Sequence, residues 1–253
     1  MRGSPSPHWW RTVLLPTVVA LVAACGSGDA ANSQRPLERD EANRLADALF
    51  DNFEDGGASF TYTGQVGDGS LILDGEINFV THQGRATVSG SSAAARPIAE
   101  VVWSDAEVVE RLPSLPSILA DAGMPRQVEW ILRPPDPEGR ELDGAIALIV
   151  ALASEQRDNP QLILQLPGSA FVRTQSFRDD EVEVLRYGDL TTYWLSTTTG
   201  DLLRFEGNSR DGSRPRVIDL RDRGPRTISA PPADRVITSR ELGELYEVAL
   251  RRD

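Results

Sequence analysis

The sequence predicts an α+β fold: one curved antiparallel sheet with its helices segregated on the concave face. Three observations predict it. A run of short alternating segments follows a first amphipathic helix, an Ala-rich helical pair occupies the middle of the chain, and a second alternating run follows that. Runs of strands kept apart from runs of helices give this class, whereas regular βαβ alternation gives parallel sheets. A twisted sheet of many strands curls, and helices then close its open side.

The elements follow in order. Residues 1–24 carry Arg2 and Arg11 around the start of an apolar run that ends in small residues, the make-up of an export signal. The run is shorter than the ~20 apolar residues of a membrane span, and Pro16 interrupts it. Residues 25–37 are mostly small and polar and read as a flexible tether. Leu37, Leu45, Leu49, Phe50 and Phe53 then recur at helical spacing, and Gly56 with Gly57 stops that helix.

Strand patterns cover residues 60–66, 71–79, 85–89, 98–103 and 107–112. Pro113, Pro116 and Pro125 break the run, with a short helix at 117–122 and a strand at 127–133. Leu142, Ile146, Ile149, Val150 and Leu152 form the stripe of a central helix, and Asp158-Asn159-Pro160 ends it and starts another. Strands resume at 170–177, 181–187, 191–197, 202–206 and 216–221, with turns at Thr199-Gly200-Asp201 and Arg210-Asp211-Gly212. Residues 228–232 form an extended exit. The domain therefore covers 38–237, and 238–253 add a C-terminal helix.

Composition narrows the chemistry. Of 253 residues, 26 are basic, all of them Arg, and 38 are acidic, for a net charge of −12. Without Arg2 and Arg11 the balance is 24 against 38, or −14. Phosphate contact needs clustered cations, so nucleic acid is not an expected partner. One cysteine forms no disulfide, and His82 is the only histidine after residue 24, too few for a His/Cys metal site. His82 lies in the turn Thr81-His82-Gln83-Gly84, a poor place for a triad base, and no phosphate-binding Gly loop is present. The expectation is no catalytic residue, no metal and no cofactor, with a carboxylate-pair hydrolase as the enzymatic alternative.

The lone cysteine, Cys25, follows Val22-Ala23-Ala24 and precedes Gly26. This pattern resembles the lipobox of bacterial lipoproteins. The resemblance implies acylation of the Cys25 thiol with palmitate-like chains, cleavage before it, and retention on the outer face of the cell membrane. Two acyl chains suffice for stable anchoring.

The lipobox, the opening helix around Arg44-Leu45-Ala46, the hairpin over residues 192–204 and the exit Ser229-Ala230-Pro231-Pro232-Ala233-Asp234 together resemble the LolA/LolB-like lipoprotein carriers and their actinobacterial LppX and LprG relatives. The resemblance implies a LolA-like antiparallel β half-barrel whose helices cover an apolar cavity on the concave face. It also implies binding or carriage of a lipid or glycolipid acyl chain in the cell envelope, with an envelope transporter as partner. Phe60, Tyr62, Leu71, Leu73, Phe79, Trp103, Trp130 and Trp194 are the candidate cavity residues. Two features depart from the family: the C-terminal helix, and the acidic balance, which disfavours an anionic headgroup unless Arg residues cluster locally. The alternative function is an envelope adaptor or sensor that uses the same fold to bind protein.

Overall fold

A computed structural model describes residues 34–66, 68–91, 98–121, 127–208 and 215–250, the last with side chains to 244. Cys25, the segment before it and the Arg210-Asp211-Gly212 turn lie outside the described residues.

Helix α1 (Arg39–Asp55) opens on a capping box in which the Glu41 side chain accepts from the Glu38 backbone N–H at 2.7 Å. It ends at Gly56, whose φ of +79° is the left-handed conformation glycine adopts without a Cβ penalty. The first run of strands is β1 (Ala58–Val66), β2 (Gly69–Asn78), β3 (Gln83–Ser89), β4 (Glu100–Trp103) and β5 (Val108–Arg111). A short helix α2 (Leu115–Asp121) precedes β6 (Trp130–Arg133). Helices α3 (Glu141–Val150) and α4 (Pro160–Gln165) form the central pair, the second capped by Asn159 with Pro160 in its first turn. Strands β7 (Ala170–Phe177), β8 (Asp180–Tyr187), β9 (Thr191–Ser196), β10 (Leu202–Asn208) and β11 (Pro215–Arg221) complete the second run.

All of these strands belong to one twelve-stranded sheet in the order β12-β6-β5-β4-β3-β2-β1-β11-β10-β9-β8-β7, where β12 is Val236–Thr238. The two runs fuse because β1 pairs with β2 on one side and antiparallel with β11 on the other. The sheet is curved and unclosed, and the expected α+β architecture is the one observed. Helices α1, α3 and α4 contribute Ala42, Leu45, Leu142, Ile146, Ile149 and Ile163 to the same core as the inward side chains of the strands.

Two details differ from expectation. Strand β12 pairs parallel with β6, whereas every other neighbour is antiparallel. Its three residues carry too little alternation to announce a strand, and the β6 edge supplies the register. Directly after it, α5 (Ser239–Leu250) is capped by Thr238, which exchanges hydrogen bonds of 3.1 Å and 2.9 Å with Glu241.

The expected tether also ends earlier than residue 37. Arg35 and Phe171 exchange backbone hydrogen bonds of 3.1 Å and 2.9 Å, so the chain is fixed to the β7 edge from Arg35 onward. The Arg35 guanidinium lies 4.2 Å from the Phe171 ring centroid and donates to both Glu41 oxygens at 2.9 Å and 2.6 Å. Burial pushes the Glu41 carboxyl up, but the Arg35 and Glu38 hydrogen bonds outweigh it and hold the pKa below its usual value. A depressed carboxylate stabilises the fold above its unfolded pKa and loses that stabilisation as pH falls through the folded value. Amide exchange at Arg35 and Phe171 should therefore accelerate on acidification below about pH 4. Glu41→Gln should flatten that dependence; an unchanged profile would show that Glu41 is not the latch.

Candidate functional site

The concave face is built by strand alternation, which sends every second residue inward. Cross-strand register arranges these residues in rows. One row runs Val88, Leu73, Tyr62, Ile218, Phe205 and Tyr193, from β3 to β9. The next runs Glu110, Val101, Ala86, Gly75, Phe60 and Leu220. A third contains Arg133, Val108, Trp103, Gly84, Ile77 and Ala58.

Aromatic rings fill the hollows that glycines leave. A Cβ on Gly84 would overlap the Trp103 indole, one on Gly64 the Tyr62 phenol, and one on Gly207 would crowd the Phe205 ring. Rings laid over glycines keep the face smooth and let the helices sit close. Tyr193 meets Phe205 edge-on at 5.4 Å and Phe60 meets Trp103 tilted at 6.1 Å. Burial pushes the Tyr193 phenol well above its usual pKa.

Of the candidate cavity residues, Phe60, Tyr62, Leu73, Phe79 and Trp103 are buried together in this core, and Leu71 is half-buried at its margin. Trp130 and Trp194 are not with them. Trp130 packs on the opposite, convex face with Val102, Val109, Ile228 and Val236, under the exit segment. Trp194 lies on the same convex face with Val182, Val184 and Phe177. The Arg173 and Arg204 guanidinium carbons lie over its ring, 5.6 Å and 5.1 Å from the centroid. Both adjacent residues of Tyr193-Trp194 are aromatic, so strand parity alone does not say which one faces in. The inward assignment of Trp130 and Trp194 is corrected accordingly. Cys25 lies outside the described residues.

Sequence reading missed a buried ionic cluster beneath the start of α3. Arg133 donates to both Asp143 oxygens at 2.6 Å and through Nε to Glu110 at 2.9 Å, and all three are buried. Arg140 closes on Glu110 at 2.9 Å, and the Asp136 backbone N–H donates to Asp143 at 2.6 Å. Burial pulls the Arg133 pKa down, yet Asp143 and Glu110 more than offset it and leave it raised. The cluster balances two guanidiniums with two carboxylates and ties α3 to β5 and β6. The available signal was Glu110, which shares strand parity with the apolar Val108. His82 sits in its turn at φ +53° and pairs with Asp105 at 3.0 Å on the surface. Among the described residues no group of His, Cys, Asp and Glu side chains is arranged to hold a metal ion.

No protein-family model matches the chain, and a search of curated proteins finds no match. Solved structures do resemble it. An uncharacterized conserved protein from Thermus thermophilus is 9% identical over 74% of this chain and 95% of its own, with a TM-score of 0.38. A chain of the Pseudomonas aeruginosa MucA/MucB complex is 16% identical over 78% and 59%, with a TM-score of 0.32. A putative outer membrane lipoprotein-sorting protein domain from Vibrio parahaemolyticus is 9% identical over 76% and 92%, with a TM-score of 0.29. At such identities and scores the fold rests on the strand order itself and not on these likenesses.

Proposed function

We propose that this chain is an envelope lipoprotein, anchored through acylated Cys25 on the outer face of the cell membrane, that holds a lipid or glycolipid acyl chain against its concave face. One observation carries the reading. The apolar inner surface does not stop at the buried core but continues into half-buried Leu71, Val88, Ile98, Leu148, Val150 and Tyr187. Partly exposed apolar side chains continuous with a core are where an acyl chain gains most from leaving water. A sixteen-carbon chain supplies on the order of 10 kcal/mol, at about 0.8 kcal/mol per methylene, before ordering costs. Binding of this kind makes and breaks no bond, so the reading needs neither catalytic residue nor cofactor.

Two measurements test it. Delipidated protein is incubated with extracted envelope lipids, repurified and examined by mass spectrometry; acyl lipid in stoichiometric amount is expected. An empty eluate from folded protein would remove lipid carriage and leave the adaptor reading. Separately, Cys25→Ser should release the protein from the membrane fraction. Retention of that variant would refute the anchor.

A further inference from the structure

The inner-face row at the open margin runs Leu71, Gly64, Arg216, Gly207, Thr191 and Tyr187 across six strands. Arg216 shares strand parity with the core residues Ile218 and Leu220, so it belongs to the concave side. Its strand neighbours of opposite parity, Asp219 and Arg221, are paired on the convex side with Arg204 and Asp74. Arg216 itself is half-buried, in a chain where 38 acidic residues outnumber 26 arginines.

The two cross-strand neighbours of Arg216 are glycines and set no side chain of their own beside it; the Tyr62 ring lies over Gly64 with its hydroxyl toward this row, and the Phe205 ring lies over Gly207. Burial pushes the Tyr62 phenol above its usual pKa, the Arg216 charge draws it part of the way back, and Glu141 at the start of α3 pushes it up again. Among the described residues the margin therefore carries Arg216 near the phenol, with Glu141 the carboxylate that acts on it. A guanidinium beside a phenol hydroxyl, at the edge of an apolar surface, offers several N–H donors and one O–H donor to an oxyanion.

We propose that Arg216, assisted by Tyr62, binds the anionic headgroup of an acidic lipid whose acyl chain lies on the half-buried apolar margin at Leu71 and Val88. This rests on the lipid-binding reading above and specifies the ligand class for it: an amphiphile with a carboxylate or phosphate head. Against the overall acidic balance, Arg216 supplies one cation on the inner margin.

The test compares palmitate, methyl palmitate and acetate by equilibrium dialysis against delipidated protein. Palmitate should bind the wild-type protein at least about tenfold more tightly than its methyl ester, the usual worth of a charged hydrogen bond. Arg216→Gln should bring palmitate to the affinity of the ester and leave the ester unchanged, Arg216→Lys should keep part of the preference, and acetate alone should bind too weakly to detect. Equal binding of acid and ester by the wild-type protein would overturn the headgroup site while leaving acyl-chain binding intact. Loss of both ligands equally in Arg216→Gln would show a structural role and overturn it as well. Binding of neither ligand would defeat the acyl-chain reading, and the headgroup site with it. The wild-type comparison decides even where a variant fails to fold.

Discussion

Replacing Arg133 with Met should lower the free energy of unfolding by about 3–5 kcal/mol, the cost of breaking a buried ion pair from one side. Arg133 satisfies two buried carboxylates at once, and its removal leaves Glu110 and Asp143 buried without their shared cation. Arg140 reaches Glu110 but its own side chain is 42% exposed, so it does not replace what is lost. The penalty is the stranded charge and not the value of the attraction. Combining Arg133→Met with Glu110→Leu and Asp143→Leu should therefore recover most of the loss, because apolar residues of similar volume serve such a site as well. Urea denaturation of the single and triple variants checks this. A triple variant no better than the single would mean that the cluster holds α3 by geometry that apolar packing does not reproduce.

Truncating Trp103 to Ala should cost about 3–5 kcal/mol, and extending Gly84 to Ala about 1–3 kcal/mol, for opposite reasons. Trp103 fills the hollow over Gly84 and touches Phe60, so its loss opens a void that neighbours close only in part. A methyl on Gly84 enters the volume the indole already occupies and forces the ring off its place. Because both changes act on one space, they should not add: Gly84→Ala in the Trp103→Ala background should cost little or become stabilising. Additive losses in denaturant titrations would show that Gly84 is needed for its backbone and not for the room it leaves. The single Trp103→Ala variant also bears on function, since a void on the concave face provides extra volume for an acyl chain. Its lipid capacity should be equal to or above that of the wild type, provided the fold survives.

Much of the sheet was legible where its strands alternate. Residues 216–221 carry the inward parity that the register displays, and Asn159-Pro160 and Gly56 mark helix ends by local chemistry alone, whereas a bulge between Phe171 and Arg173 breaks the parity of β7. Parity fails where both faces are apolar. Around Tyr193-Trp194 the convex face has its own patch, formed by Phe177, Val182 and Val184 beneath Arg204, and Trp194 belongs to it. Trp130 is misread for the same reason: the exit segment lays Ile228 and Val236 over the convex face and gives a second aromatic somewhere to be buried. The Arg133 cluster was hidden because a buried charge looks like a surface charge until its partners, distant in sequence, come together.

Local period, capping chemistry and residue counts were enough for the class, the order of helices and strands apart from β12, the lipobox-like pattern at Cys25, and the poverty of histidine and cysteine for catalysis or metal binding. None of these needs a partner strand. Folding alone settled which side became the interior where both faces of a strand are apolar, that β1 joins β11 to make two runs one sheet, and that the tether is fixed from Arg35. It also set Arg216, one of many arginines, on the inner margin between two glycines. Such facts depend on which residues face one another across the sheet, and cross-strand register is a property of pairs far apart in the chain.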